Sequence, residues 1–138
     1  IPSSKIKFEY RKNDLSKELI FLSASIKGKK KSQKDIEKKI NFLKAKKLET
    51  QPSQIKTGGS TFKNAEGKKA WMLIKESGCD KLYVGDAKIS TKHCNFFINN
   101  GKATSSDIEE LINKVKKEVK VKSGIELELE IKIIGDEK

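Results

Sequence analysis

Apolar residues recur along this chain in two rhythms, and the switches between them mark out its elements. Ile6, Phe8 and Tyr10 alternate with Lys7 and Glu9, the period-two pattern of a half-buried strand, and residues 19–26 are a second apolar, strand-like run. Lys12-Asn13-Asp14 is read as the turn between them. Ser32 with Asp35 three residues on resembles a capping box. Ile36, Ile40 and Leu43 then mark a narrow helical stripe until Thr50-Gln51-Pro52-Ser53 breaks it. A second helix is predicted over residues 68–77, with Ala70, Leu73 and Ile74 inward and Gly78 as its stop. Short extended pieces follow at 82–84 and 87–90, then a strand at 94–99 closed by Asn99-Asn100-Gly101. Thr104 with Asp107 opens the clearest helix, where Ile108, Leu111, Ile112, Val115 and Val119 keep helical spacing up to Gly124. Residues 125–134 alternate Leu127, Leu129, Ile131 and Ile133 against Glu126, Glu128, Glu130 and Lys132, which predicts a last strand. This order predicts an α+β fold, a small antiparallel or mixed sheet packed against two or three helices.

One stretch stands apart as the place for chemistry. In Gly58-Gly59-Ser60-Thr61-Phe62-Lys63-Asn64 two glycines free the backbone to turn or to approach a ligand, and Thr61 and Phe62 then favour an extended strand. Alternation in that strand puts Ser60, Phe62 and Asn64 on one face. Ser60 and Asn64 are then about 13 Å apart, with an aromatic wall between them, spacing that suits a long polar ligand.

Composition narrows the partners. The chain of 138 residues is 35% hydrophobic and 36% charged, with a net charge of +12. Residues 27–47 hold ten lysines against Asp35 and Glu37, so most of the basicity sits on one arm. That arm makes a basic module for RNA or another polyanion the alternative reading. Nucleic acid remains the weaker partner, because thirty of the thirty-one basic residues are lysine and readers of nucleic acid use guanidinium forks and stacking aromatics. Cys79 and Cys94 lack metal-ligand spacing and His93 is the sole histidine, so no metal site is expected. No apolar run approaches the roughly 20 residues that span a bilayer, and the cytoplasm is the default location. Arg11 is the only arginine. A planar fork can grip a carboxylate through two parallel hydrogen bonds, which the ammonium of lysine cannot reproduce.

Gly-Ser-Thr-Phe-Lys-Asn at 59–64 resembles a signature of the UDP-N-acetylenolpyruvoylglucosamine reductases, flavoenzymes that make a peptidoglycan precursor. The resemblance implies that Ser60 is the proton donor and that Asn64 contacts substrate. Tyr10-Arg11 is similar to the family's Tyr-Arg pair, whose arginine stabilises the enolic carboxylate, and Tyr10 is carried over as a substrate contact. Glu130-Ile131-Lys132-Ile133-Ile134-Gly135 resembles the closing Glu-Val-Arg-x-Ile-Gly, which makes Glu130, rather than Glu126 or Glu128, the third catalytic residue. Residues 84–93 resemble a segment ending in Lys-His, which makes His93 a polar substrate contact. The sequence departs from the family at Gly59, often alanine there, at Ala65 and Leu129, which replace prolines, and at Asp86, which replaces a glycine.

The resemblance implies reduction of UDP-N-acetylglucosamine enolpyruvate with NADPH through FAD. No glycine fingerprint for a dinucleotide occurs here, so the expected partner is an upstream FAD-binding domain, with residues 1–31 as its tail and 32–138 as the substrate-binding domain. The start at Ile1-Pro2 fits a piece of a longer protein.

Overall fold

In a computed structural model, which describes residues 1–65 and 67–135, the body is an antiparallel sheet of four strands with two of the three α-helices packed on it. The elements are β1 (Phe8–Glu9), β2 (Lys12–Asn13), α1 (Gln33–Thr50), β3 (Lys56–Ser60), α2 (Ala70–Glu76), β4 (Tyr83–Val84), β5 (Ala87–Ile89), β6 (Phe96–Asn99) and α3 (Ser105–Ser123). Strand order is β3-β6-β5-β4. The α+β class with an antiparallel sheet is as the residue pattern predicts.

The core lies between the sheet, α2 and α3. Leu111, Ile112, Val115 and Val119 of α3 are buried together with Ala70, Leu73 and Ile74 of α2, the inward faces expected from their spacing. Phe62 meets Phe97 edge to face, ring centroids 5.8 Å apart. At the start of α3 the Thr104 hydroxyl accepts from Asp107 N–H while the Asp107 carboxylate accepts from Thr104 N–H, and Gly124 ends the helix at φ 72°. Helix α1 has no buried residue, and Ile36, Ile40 and Leu43 are exposed. No helix among the described residues is long and apolar enough to cross a membrane.

Four local expectations change. The first strand shrinks to Phe8–Glu9 and pairs with Lys12–Asn13, so the turn falls at Tyr10-Arg11 and not at Lys12-Asn13-Asp14. Polar pairing decides this, because Asp14 returns two hydrogen bonds to Lys7 and the Glu9 carboxylate is held by Lys7 at 3.0 Å and Lys12 at 2.8 Å. Residues 19–26 form no strand, and Ile20, Phe21, Leu22 and Ile26 are exposed. The glycine pair does not precede a strand but lies inside β3. Thr57 pairs with Ile98 and Ser60 with Phe96, which leaves Gly58 and Gly59 opposite Phe97 alone, a bulge that Gly59 permits at φ 87°. Finally, residues 125–134 make a single bridge, Leu129 to Phe62, in place of a continuous strand. The predicted domain end at residue 138 lies outside the described residues.

Candidate active site

The bulge fixes where Ser60 stands. Thr57 Oγ1 donates to Phe97 C=O at 2.7 Å and accepts from Gly59 N–H at 3.2 Å, so the kink is held from within the sheet. Ser60 follows as the last residue of β3, half-buried opposite Phe96. Thr61 is then tied on both edges, its N–H to Asn95 C=O at 2.8 Å and its C=O to Glu130 N–H at 2.9 Å. Thus the residue after Ser60 is bonded to the backbone of Glu130. Thr61 and Phe62 are both buried, so simple alternation fails here, and Phe62 belongs to the core and is no wall between Ser60 and Asn64.

Arg11 reaches the same place from the hairpin. Its Nη2 meets Glu130 Oε1 at 2.8 Å, and its guanidinium lies over the Tyr10 ring at 5.1 Å. The Glu130 side chain is 27% exposed and that of Arg11 50%, so the pair is open enough to meet a ligand yet partly shielded from solvent. The backbone of Arg11 has φ 61°, the left-handed region, which is uncommon for a residue with a side chain. The three glutamates of the closing segment sort by partner. Glu126 pairs with Lys120 at 2.9 Å, which holds its carboxyl below the usual range, Glu128 with Lys63 at 3.1 Å, and Glu130 with Arg11.

Tyr10 and Asn64 meet directly, since Asn64 N–H donates to the Tyr10 hydroxyl oxygen at 3.1 Å. Both line a cleft of about 400 Å³ with Lys12, Lys63, Leu127 and Glu128. Asn64 also works for the fold, because its Oδ1 accepts from Ala70 N–H at the start of α2.

His93 stands elsewhere. It lines a second depression of about 460 Å³ with Trp71, Lys75 and Lys92, which shares no lining residue with the first. Its ring touches Phe96 edge to face at 4.8 Å, and its Nδ1 accepts from Asn95 N–H at 3.3 Å. Burial pushes the imidazole below its ordinary 6.5, so the neutral ring prevails at neutral pH. The structure therefore joins Arg11 to Glu130 and Tyr10 to Asn64, brings Ser60 to Glu130 through Thr61, and links His93 only through the Asn95-Phe96 turn.

Sequence reasoning missed Asn95, whose carboxamide is buried between these parts. A lone amide inside the apolar run 94–99 was the available signal, because a buried polar group needs partners. Asp86 was also underread. Where a glycine was expected, its carboxylate accepts from Lys102 N–H and its C=O from Asn100 N–H, pinning the turn before α3.

Residues 51–134 match the family model of the UDP-N-acetylenolpyruvoylglucosamine reductase C-terminal domain. The chain is 53% identical over 137 residues to the UDP-N-acetylenolpyruvoylglucosamine reductase of Pelagibacter ubique, covering 97% of this chain and 45% of that protein. It is 47% identical over 133 residues to the reductase of the same name from Rickettsia bellii, covering 96% and 44%. Its fold is similar to the crystal structure of UDP-N-acetylenolpyruvylglucosamine reductase from Thermus caldophilus, with a TM-score of 0.79 and 34% identity over 94% of this chain and 46% of that one. The chain spans about half the length of the relatives it matches. This chain belongs to the UDP-N-acetylenolpyruvoylglucosamine reductase family, and residues 51–134 are its C-terminal domain.

Proposed function

We propose that this chain supplies the proton donor and the substrate grip of an enzyme that reduces UDP-N-acetylglucosamine enolpyruvate to UDP-N-acetylmuramate. NADPH is the reductant and FAD the carrier, in the cytoplasmic synthesis of peptidoglycan precursors. The observation that carries the reading is the cluster in which Arg11 meets Glu130 at 2.8 Å while Glu130 N–H holds the carbonyl next to Ser60. Residues 32–138 act as the substrate-binding domain and residues 1–31 as the tail of an upstream flavin-binding region.

No glycine fingerprint for a dinucleotide occurs among the described residues. Gly58 and Gly59, the one adjacent glycine pair, are spent in the β3 bulge, where a Cβ at Gly58 would stand 3.5 Å from Ile131 Cγ2. Hydride chemistry belongs to the cofactor, and the flavin cradle is assigned to the upstream region.

These residues handle a proton and a charge. Once the enolpyruvyl double bond has gained a hydride, electron density collects on the carbon beside the carboxylate. Ser60 Oγ–H breaks and a C–H bond forms there. A neutral hydroxyl is a weak acid, so it donates only to so basic a carbon held within reach. Arg11 faces the carboxylate, where a guanidinium fixed in advance stabilises charge without reorganising. Glu130 anchors Arg11 through one nitrogen and leaves the rest of the fork for substrate. Tyr10 and Asn64 line the cleft for the polar body of the substrate, and neutral His93 offers a donor farther out.

The test is Ser60→Ala in the full-length protein, followed by stopped-flow flavin absorbance. Flavin reduction by NADPH is expected to stay normal, while reoxidation by the enolpyruvyl substrate slows by roughly 10²- to 10⁴-fold, the scale for a positioned general acid. Lost reduction with fast reoxidation would place Ser60 on the cofactor side and overturn the assignment.

A further inference from the structure

Between Ser60 and Asn64 the chain leaves the regular ladder, yet Phe62 is 1% exposed and its backbone polar groups need partners there. β6 cannot supply them, because beyond Phe96 it turns, with Phe96 N–H donating to His93 C=O at 2.9 Å. A side chain takes over. Asn95, 4% exposed, accepts Phe62 N–H on Oδ1 at 2.9 Å and donates Nδ2 to Phe62 C=O at 2.8 Å, as a neighbouring strand would. The backbone C=O of Asn95 meanwhile accepts Thr61 N–H at 2.8 Å.

The opposite edge of the same segment carries the other catalytic element. Glu130 N–H donates to Thr61 C=O at 2.9 Å and Lys63 N–H to Glu128 C=O at 2.8 Å. Residues 61–63 are therefore a single rung clamped by Asn95 on one side and by the Glu128 to Glu130 backbone on the other. Ser60 leads into that rung, and Glu130 hangs from it with Arg11 attached. Loosening the Asn95 side would let the rung shift as a body and change the distance from the Ser60 hydroxyl to the Arg11 fork.

We propose that Asn95 is a positioning residue for proton delivery: its carboxamide sets the register between Ser60 and the Glu130–Arg11 pair. This rests on the proton-donor role proposed for Ser60. Only an amide suits the place, since it must accept from an N–H and donate to a C=O at once. An aspartate keeps the first bond and loses the second.

The experiment compares Asn95→Ala, Asn95→Asp, Asn99→Ala and Ser60→Ala in the full-length, flavin-loaded protein, with a thermal melt of each. Asn99 is the control for amide loss. Its carboxamide also holds backbone, accepting from Gly101 and Ala103 N–H and donating to Ala103 C=O, but at the turn before α3. Asn95→Ala is expected to leave flavin reduction by NADPH within about twofold and substrate Kd little changed. Reoxidation should slow about 10²-fold, the scale of a misplacement near 1 Å, with a raised solvent deuterium isotope effect as proton transfer becomes limiting. Asn95→Asp, nearly isosteric and able to fold if the alanine variant melts, should fall between wild type and alanine. Asn99→Ala should lose stability and keep reoxidation fast. If both Asn95 variants slow reoxidation no more than Asn99→Ala, or slow both half-reactions alike, Asn95 only supports the fold and the proposal fails. Fast reoxidation in Ser60→Ala would instead sink the donor assignment itself, a result visible without any Asn95 variant.

Discussion

Arg11 occupies a backbone region that costs a residue with a side chain of order 1–3 kcal/mol, and a glycine at the second position of this turn would avoid that cost. From this conformation the guanidinium meets Glu130. Arg11→Lys keeps the charge and loses the fork, so turnover of the full-length enzyme is expected to fall about 10²- to 10³-fold, the usual scale for removing a charge-stabilising donor. Near-normal steady-state turnover would mark Arg11 as a surface charge. Glu130→Gln should be harmful and Glu128→Gln mild, because only Glu130 faces the arginine. The residue pattern alone could not separate these glutamates, which share one face of one alternating run. What separates them is the cation opposite, and that depends on tertiary contact. His93 has its own signature. Burial lowers its pKa in the fold, so below about 6.5 the unfolded chain binds the proton more readily and folding stability drops as pH falls. Denaturant melts over a pH series should show a shallower fall for His93→Gln than for wild type, and equal slopes would place His93 in solvent.

At the scale of elements, burial governed what could be read. Helix α3 was legible to the residue because cap, apolar face and closing glycine agree, with Thr104, Asp107 and Gly124 in the roles their types suggest. The closing segment alternates into the core as its pattern predicts, with Leu127 buried and Leu129 and Ile131 packed on it, and lacks only a continuous ladder, whereas in the hairpin alternation does not mean burial. Phe8 and Tyr10 alternate but stay exposed, and polar pairs around Glu9 and Asp14 set the register instead. Gly58-Gly59 was read as a turn, since a bulge depends on the partner strand and leaves no local mark. Asn64 shows two duties in one side chain, holding the start of α2 through Oδ1 and lining the cleft. Asn64→Asp retains that acceptor, so the melting temperature should hold. Losing the Nδ2 donor is worth about 0.5–1.5 kcal/mol, up to roughly tenfold in substrate Kd by titration calorimetry. An unchanged substrate Kd would show that the hold on α2, not substrate, dictates residue 64.

Seen whole, the molecule keeps its thiols away from chemistry. Cys79 is 1% exposed, with burial and the charges of Glu118 and Asp80 pushing it up to about 11, and Cys94 is 8% exposed and also raised by burial. A thiol reagent at neutral pH is expected to label neither until denaturant is added, and fast labelling of the native chain would contradict the packing of α2. Class and core were legible because the sheet, α2 and α3 lie close together in sequence. The basic arm is solvated, with α1 exposed along its length. Less visible was the meeting of Arg11 with Glu130, which no local pattern announces. That meeting joins position 11 to position 130, so it closes a loop of nearly the whole chain around a core that contains none of Arg11, Ser60 and Glu130. Loops of this length close late in folding, because their entropy must be spent before the contact returns anything. The Arg11–Glu130 contact should then be the last part to form and the first to open, leaving a folded body without that pair.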